Sequence, residues 1–159
     1  VRVRAWYGLP GEIVVEEGGW HLVSIAGIPL PHPPLVNRFI RRGLSRSERL
    51  RYSYLHEFGH LQTLPLALLH AGGLALLERR RRSRGGAGRR ARVVALVGAH
   101  EALWELASEA YVAVQAGAEY RGAYRRNPFR WRLPVFWSVM GALAVGGTVV
   151  LLRGRRAGV

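Results

Sequence analysis
From Leu133 to Leu152 the chain runs for 20 residues without a charged side chain. At about 1.5 Å per residue, a helix of that length crosses a hydrocarbon core of about 30 Å. Trp131, Phe136 and Trp137 stand at one end of the run, and Arg153, Arg155 and Arg156 close the other. Such residues favour the two lipid–water boundaries, where an apolar body and a polar tip are both accommodated. A chain of 159 residues has little other protein with which to cover such a helix on every side. A transmembrane helix over 133–152 is therefore expected in preference to a buried core helix.

The charge points the same way. The formal net charge is +14, all 24 basic residues are Arg, and all ten acids are Glu. So large an excess calls for an anionic partner, either nucleic acid or anionic lipid. The Arg runs flank apolar stretches and no nucleic-acid recognition motif accompanies them, so membrane lipid is the expected partner and nucleic acid is not. Cysteine is absent, which excludes disulfides and thiolate-ligated metals. The first residue is Val1, so completeness of the N-terminus is left open and no targeting signal is readable.

The expected fold class is α+β, mainly α, in three parts. Residues 1–44 form a β-rich segment and connector. Val1 to Tyr7 alternates with a period near two, Gly8-Leu9-Pro10-Gly11 reads as a turn, Glu12 to Glu17 as a short strand, Gly18-Gly19 as a second turn and Trp20 to Ile25 as another strand. Together these predict a small antiparallel sheet. Pro29, Pro31, Pro33 and Pro34 make 29–37 a stiff extended connector.

Residues 45–118 read as a helical hairpin. Ser45 or Ser47 with Glu48 predicts a helix start, and the helix continues through Leu61 to Leu77 with Pro65 as an expected kink. Residues 79–92, with eight Arg and Gly85-Gly86-Ala87-Gly88, read as a solvated loop. A second helix over 93–118 carries His100, Glu101, Glu105 and Glu109. Residues 119–159 are a basic linker, broken at Asn127-Pro128, and the transmembrane helix.

The first helix of the hairpin contains His56-Glu57-Phe58-Gly59-His60. Histidines at i and i+4 share a helix face, so both imidazoles reach one metal ion. The intervening Glu is then placed to take the proton of a metal-activated water. On this reading His56 and His60 are metal ligands and Glu57 is the general base.

The stretch Leu55-His56-Glu57-Phe58-Gly59-His60-Leu61 resembles the active-site helix of zincin metallopeptidases. The resemblance implies a Zn2+ cofactor, a peptide or protein substrate, a zinc-dependent hydrolase and a third protein ligand. The metzincin pattern, with a Gly and a His soon after the second His, is not met by Gln62-Thr63-Leu64-Pro65-Leu66. Site-2 proteases use an Asp, and this chain has none. A Glu from a second helix, the gluzincin arrangement, remains. Trp104-Glu105-Leu106-Ala107-Ser108-Glu109-Ala110-Tyr111 also resembles the third-ligand helix of gluzincins.

Helix lengths choose between the carboxylates. His60 lies about 26 Å before Leu77, and Glu109 about 24 Å after Val93, so an antiparallel hairpin sets them level. Glu109 is the favoured third ligand. Glu105 is the alternative ligand or a group that orients a His, and a slip in register exchanges the two. The same register places His70 opposite His100 and Glu101. A His70–Glu101 hydrogen bond is the plain expectation, with a second metal or a proton path as the sharper one. Tyr52, Tyr54 and Tyr111 are candidates to stabilise an oxyanion, with none singled out.

The expected function is a membrane-bound zinc metallopeptidase. Two rivals stand beside it. Glu57-Phe58-Gly59-His60 is also an ExxH motif, which with Glu101, Glu105 and Glu109 would serve a carboxylate-bridged di-metal oxidase, although such sites use two ExxH motifs. The other is a non-catalytic membrane protein. Arg clusters at 38–51, 79–92 and 121–132 oppose one another under the positive-inside rule, so membrane orientation stays open.

Overall fold
Short alternating strands followed by long helical runs give a small sheet set against a helical bundle. A computed structural model describes residues 1–15, 21–32, 35–79 and 86–153. Strands β1 (Arg2–Arg4), β2 (Pro10–Val15), β3 (His21–Ile25) and β4 (Ile28–His32) form one antiparallel sheet in the order β1-β2-β3-β4. Helices α1 (Leu35–Ile40), α2 (Arg46–Arg79), α3 (Gly86–Arg126) and α4 (Arg132–Arg153) follow.

The expected sheet is present, with one strand more than the sequence suggested. The run read as a Pro-rich connector holds β4, in which Pro29 pairs with Ser24 and Pro31 with Leu22. An edge strand accepts proline because half of its N–H groups face away from the sheet. Leu35 to Asn37, also read as connector, belong to α1. The turn expected at Gly18-Gly19 lies outside the described residues.

The inner face of the sheet sits on α2 just past the HExxH segment. Ala5, Val23, Ile25 and Leu61 are buried together, with Phe58 and Leu64 packed against them. Ser45 caps α2: its Oγ accepts from the Glu48 N–H while Glu48 Oε2 accepts from the Ser45 N–H, a reciprocal capping box. The helix runs on through Pro65. Proline has no N–H, so the Leu61 carbonyl one turn earlier loses its helical donor. The Tyr7 hydroxyl donates to that carbonyl at 2.5 Å, and Trp6 Nε1 donates to the next one, of Gln62, at 3.1 Å. The proline break thus becomes the attachment point of the sheet.

α3 extends well beyond its expected limits, from Gly86 to Arg126, and so absorbs part of the predicted loop and of the predicted linker. It is broken at Gly117, where φ is 48° and ψ is −117°, a backbone that only glycine adopts readily. In an unbroken helix Tyr120 would lie about 16 Å along the axis from Glu109. The break folds the last turns back, so the Tyr120 hydroxyl reaches Glu109 Oε1 at 2.6 Å. Tyr120, Ala123 and Tyr124 join Leu44, Tyr52, Val112 and Ala116 in a core beneath α1.

α4 contains one segment, Arg132–Val149, long and apolar enough to cross a membrane, and only 6% of it is buried against the rest of the chain. It packs along α3, with Gly147 so near Ala95 and Ala99 that a Cβ would fall 2.5 Å from the Ala99 Cβ.

Replacing Tyr7 by Phe should cost about 1–2 kcal/mol, the penalty for leaving a carbonyl without its donor. In a Pro65→Ala background the restored N–H can serve Leu61, and the cost should shrink towards zero. Denaturant titration of the four proteins of this cycle tests the account; an equal loss in both backgrounds would refute it.

Candidate metal centre
The site is built where α2 and α3 touch. Gly59 faces the backbone of Ser108, and a Cβ there would stand 2.8 Å from the Ser108 carbonyl oxygen. This close approach lets short side chains meet across the helix pair. His56 and His60 project from one face of α2 with ring centroids 4.8 Å apart. Glu105, Ser108 and Glu109 answer from one face of α3.

His56 is hydrogen-bonded through both ring nitrogens and His60 through Nδ1, with the Glu105 carboxylate beside its Nε2. His56 Nε2 lies 3.1 Å from Glu105 Oε2, and His60 Nε2 lies 3.5 Å from Glu105 Oε1. On the other side of the rings, His56 Nδ1 lies 3.0 Å from Glu109 Oε2 and His60 Nδ1 lies 2.8 Å from Ser108 Oγ. With Nδ1 as donor to these acceptors, both Nε2 lone pairs face the Glu105 carboxylate. One ligand atom from each of His56, His60 and Glu105 falls within 4.8 Å of the other two. Two imidazole nitrogens and one carboxylate oxygen, each imidazole braced through its second nitrogen, are the donor set that suits zinc.

The sequence expectation for the third ligand is corrected here. Glu105, not Glu109, is the carboxylate that joins both imidazoles. α2 reaches Arg79 and α3 begins at Gly86, so the hairpin closes sooner than boundaries at 77 and 93 imply. The residue level with His60 moves back along α3 by one helical turn, from Glu109 to Glu105. Glu109 is instead taken by Arg41, whose Nη1 and Nη2 donate to Oε1 and Oε2 at 2.6 Å each. The other pairing is corrected too: His70 Nδ1 meets His100 Nδ1 at 3.3 Å, while Glu101 is exposed. Of the tyrosines, Tyr52 is buried with its ring against Tyr120, and Tyr54 and Tyr111 bracket Phe58.

Asn37, Arg41 and Ser108 were not legible as site residues. Asn37 Nδ2 donates to Glu57 Oε1 at 3.0 Å in a fully enclosed contact. It stands one turn before Arg41, so one face of the α1 segment serves both Glu57 and Glu109. The only sequence trace of this is the i, i+4 spacing of Asn37 and Arg41. Trp104 Nε1 donates to the His60 carbonyl at 3.2 Å and its ring lies against the His60 imidazole.

Burial is nearly complete. His56, Glu57 and His60 are each 1% exposed, while the Glu105 side chain keeps 14%. Glu105 is thus the group of this set with an edge to solvent. In the metal-free protein, burial opposes the His56 imidazolium, but hydrogen bonds and charge from Glu105 and Glu109 outweigh it and push the pKa up to about 10. Burial likewise works against the Glu109 carboxylate, and Arg41 and His56 outweigh it and bring it down to about 2. Burial dominates at His60, whose pKa is lowered.

Comparisons with protein-family models, with curated proteins and with solved structures find no match to this chain.

A metal that binds His56 must displace its proton. Because the His56 pKa is raised by Glu105 and Glu109, that imidazole holds its proton through the neutral range in the metal-free protein. Apparent zinc affinity should then climb about tenfold per pH unit between roughly pH 7 and 8.5, the slope for one displaced proton. Competition titrations against a chelator of known pH dependence measure this; a flat profile would refute it.

Proposed function
We propose that the chain is a membrane-bound, zinc-dependent metallopeptidase. The observation that carries the proposal is the convergence of His56 Nε2, His60 Nε2 and a Glu105 oxygen beside Glu57 on the same helix. His56, His60 and Glu105 would hold the ion. When bound, zinc supplies Lewis acidity and lowers the pKa of a water molecule toward 7.

The chain's own groups supply the rest. Glu57, one residue after the first ligand, accepts the proton of the attacking water and passes it to the leaving amine. Asn37 fixes one of its oxygens, so the carboxylate has a defined orientation. Three ligands leave room in a tetrahedral shell for a fourth partner, the requirement for catalysis as opposed to a structural role. The peptide character of the substrate is supported by the HExxH chemistry, and its nature beyond that is left to experiment.

Membrane attachment is supported by α4 and by a wider apolar surface. Leu66, Leu68, Leu69 and Leu76 of α2, Val93, Val94 and Val97 of α3 and Val139, Leu143 and Val145 of α4 are all exposed. These residues lie on the stretches of the helices that lead away from the sheet. So much exposed aliphatic surface is unfavourable in water and matched by lipid. The site, at the sheet end of the hairpin, then faces the aqueous boundary. The di-metal oxidase is disfavoured because Arg41 already neutralises Glu109.

Purified in detergent, the chain should carry one zinc. His56→Ala and Glu105→Ala should lose it. Glu57→Gln should keep it while hydrolysis of a peptide library falls at least about 100-fold. Two irons per chain would support the oxidase, and a chain that takes up no metal from zinc-replete medium would end both readings.

A further inference from the structure
Two carboxylates on α3 flank His56, and the chain treats them differently. Glu105 keeps an edge to solvent, whereas Glu109 is fully buried. A buried carboxylate with no countercharge is strongly unfavourable, and beside His56 it would be drawn to any cation in the centre. Arg41 is the countercharge. Its guanidinium spans both oxygens of Glu109 in a fork, a geometry that fixes orientation as well as charge. The Tyr120 hydroxyl donates to Oε1 as well, which leaves Oε2 for the Nδ1–H of His56.

Arg41 is itself immobilised. It is 2% exposed, and its guanidinium also donates to the Tyr124 hydroxyl at 2.6 Å and the Tyr52 carbonyl at 3.3 Å. Its segment is gripped by the corner that leads into α4. Asn127 Nδ2 donates to the Arg42 carbonyl at 2.8 Å, and Arg132 Nη1 donates to the Phe39 carbonyl at 3.2 Å. The guanidinium of Arg132 also lies 5.0 Å from the centre of the Phe39 ring.

We propose that Arg41 is the positioning residue of the metal centre: it withholds Glu109 from the ion, fixes that carboxylate as the acceptor for His56 Nδ1–H, and so assigns the ligand role to Glu105. The inference rests on the metal-centre reading above and extends it to a residue just past the end of α1, 68 positions before Glu109 in sequence. Arg41 touches neither metal nor substrate and acts through Glu109 and His56.

The test reads zinc affinity, so it does not depend on hydrolysis. The full chain in detergent is titrated with zinc against a chromophoric chelator, and helix content is followed by circular dichroism. Arg41→Gln should bind zinc about 10- to 100-fold more weakly, the usual effect of removing a partner that braces a ligand. Arg41→Lys, which keeps the charge but not the fork, should recover part of that loss. If the buried Glu109 charge prevents Arg41→Gln from folding, the Arg41→Gln/Glu109→Gln double variant removes both charges and should still bind zinc more weakly than the parent. Zinc affinity within twofold of the parent in whichever of these is folded would overturn the proposal. A parent that binds zinc but hydrolyses nothing would end the peptidase reading and leave this one standing, whereas a parent that binds no zinc would end both.

Discussion
The contact between Gly59 and Ser108 sets the distance on which the rest of the site depends. With no Cβ at 59, the backbones of α2 and α3 approach until a methyl group would overlap the Ser108 carbonyl. At that separation a histidine and a glutamate meet without extending fully. The same approach puts Ser108 Oγ on His60 Nδ1 and Glu109 on His56 Nδ1, so both imidazoles are braced from α3. A larger residue at 59 would push the helices apart and separate both imidazoles from their partners at once.

The close approach creates an electrostatic problem that a hairpin alone does not solve. Two carboxylates and two imidazoles share a nearly dry space. Protonation of His56 offsets one negative charge in the metal-free protein, and Arg41 offsets the other. These two cations are not equivalent. The proton on His56 is exchangeable for a metal ion, whereas Arg41 keeps its charge at any accessible pH. A permanent partner therefore sits on Glu109, and an exchangeable one on the imidazole that Glu105 and Glu109 share. The Gly117 break serves this division, because it carries Tyr120 and Tyr124 back beneath Arg41 and Glu109.

Much of this was legible in the sequence. The sheet, the capped helix, the HExxH face, the pairing with a Glu-bearing helix and the apolar C-terminal helix all follow from local pattern. Which carboxylate meets both imidazoles did not, and the reason is physical. An Arg-rich, glycine-containing run reads as loop, yet Arg is a good helix former, and α2 and α3 extend into it from both sides as far as Arg79 and from Gly86. A few residues of helix added to a hairpin shift its register by a turn, which is the spacing between Glu105 and Glu109. Strand β4 was hidden by its prolines and by a turn at Ala26-Gly27, where Ala26 takes φ of 51° without the Asn or Asp that marks such turns. Asn37 and Arg41 were invisible for another reason. Their partners are distant in sequence, and nothing in a short helix announces which carboxylates it will meet.

The turn that holds His60 shows how far this anchoring goes. The carbonyls of His60, Leu61 and Gln62 each accept a side-chain donor, from Trp104, Tyr7 and Trp6 in turn. Carbonyls inside a helix ordinarily have no need of extra donors, but Pro65 leaves that of Leu61 unmatched. Proline is costly in a helix interior, and its position one turn past the second ligand is what lets the sheet attach there. Three aromatic side chains, from two different parts of the fold, then fix the backbone of the turn that carries His60. The sheet, the α1 segment and the middle of α3 thereby converge on two turns of α2: the sheet through main-chain carbonyls, α1 through the Glu57 carboxylate, and α3 through the Nδ1 side of the histidine rings. A site braced from three directions can hold its ligands in place before any ion arrives, which lowers the ordering cost of binding one.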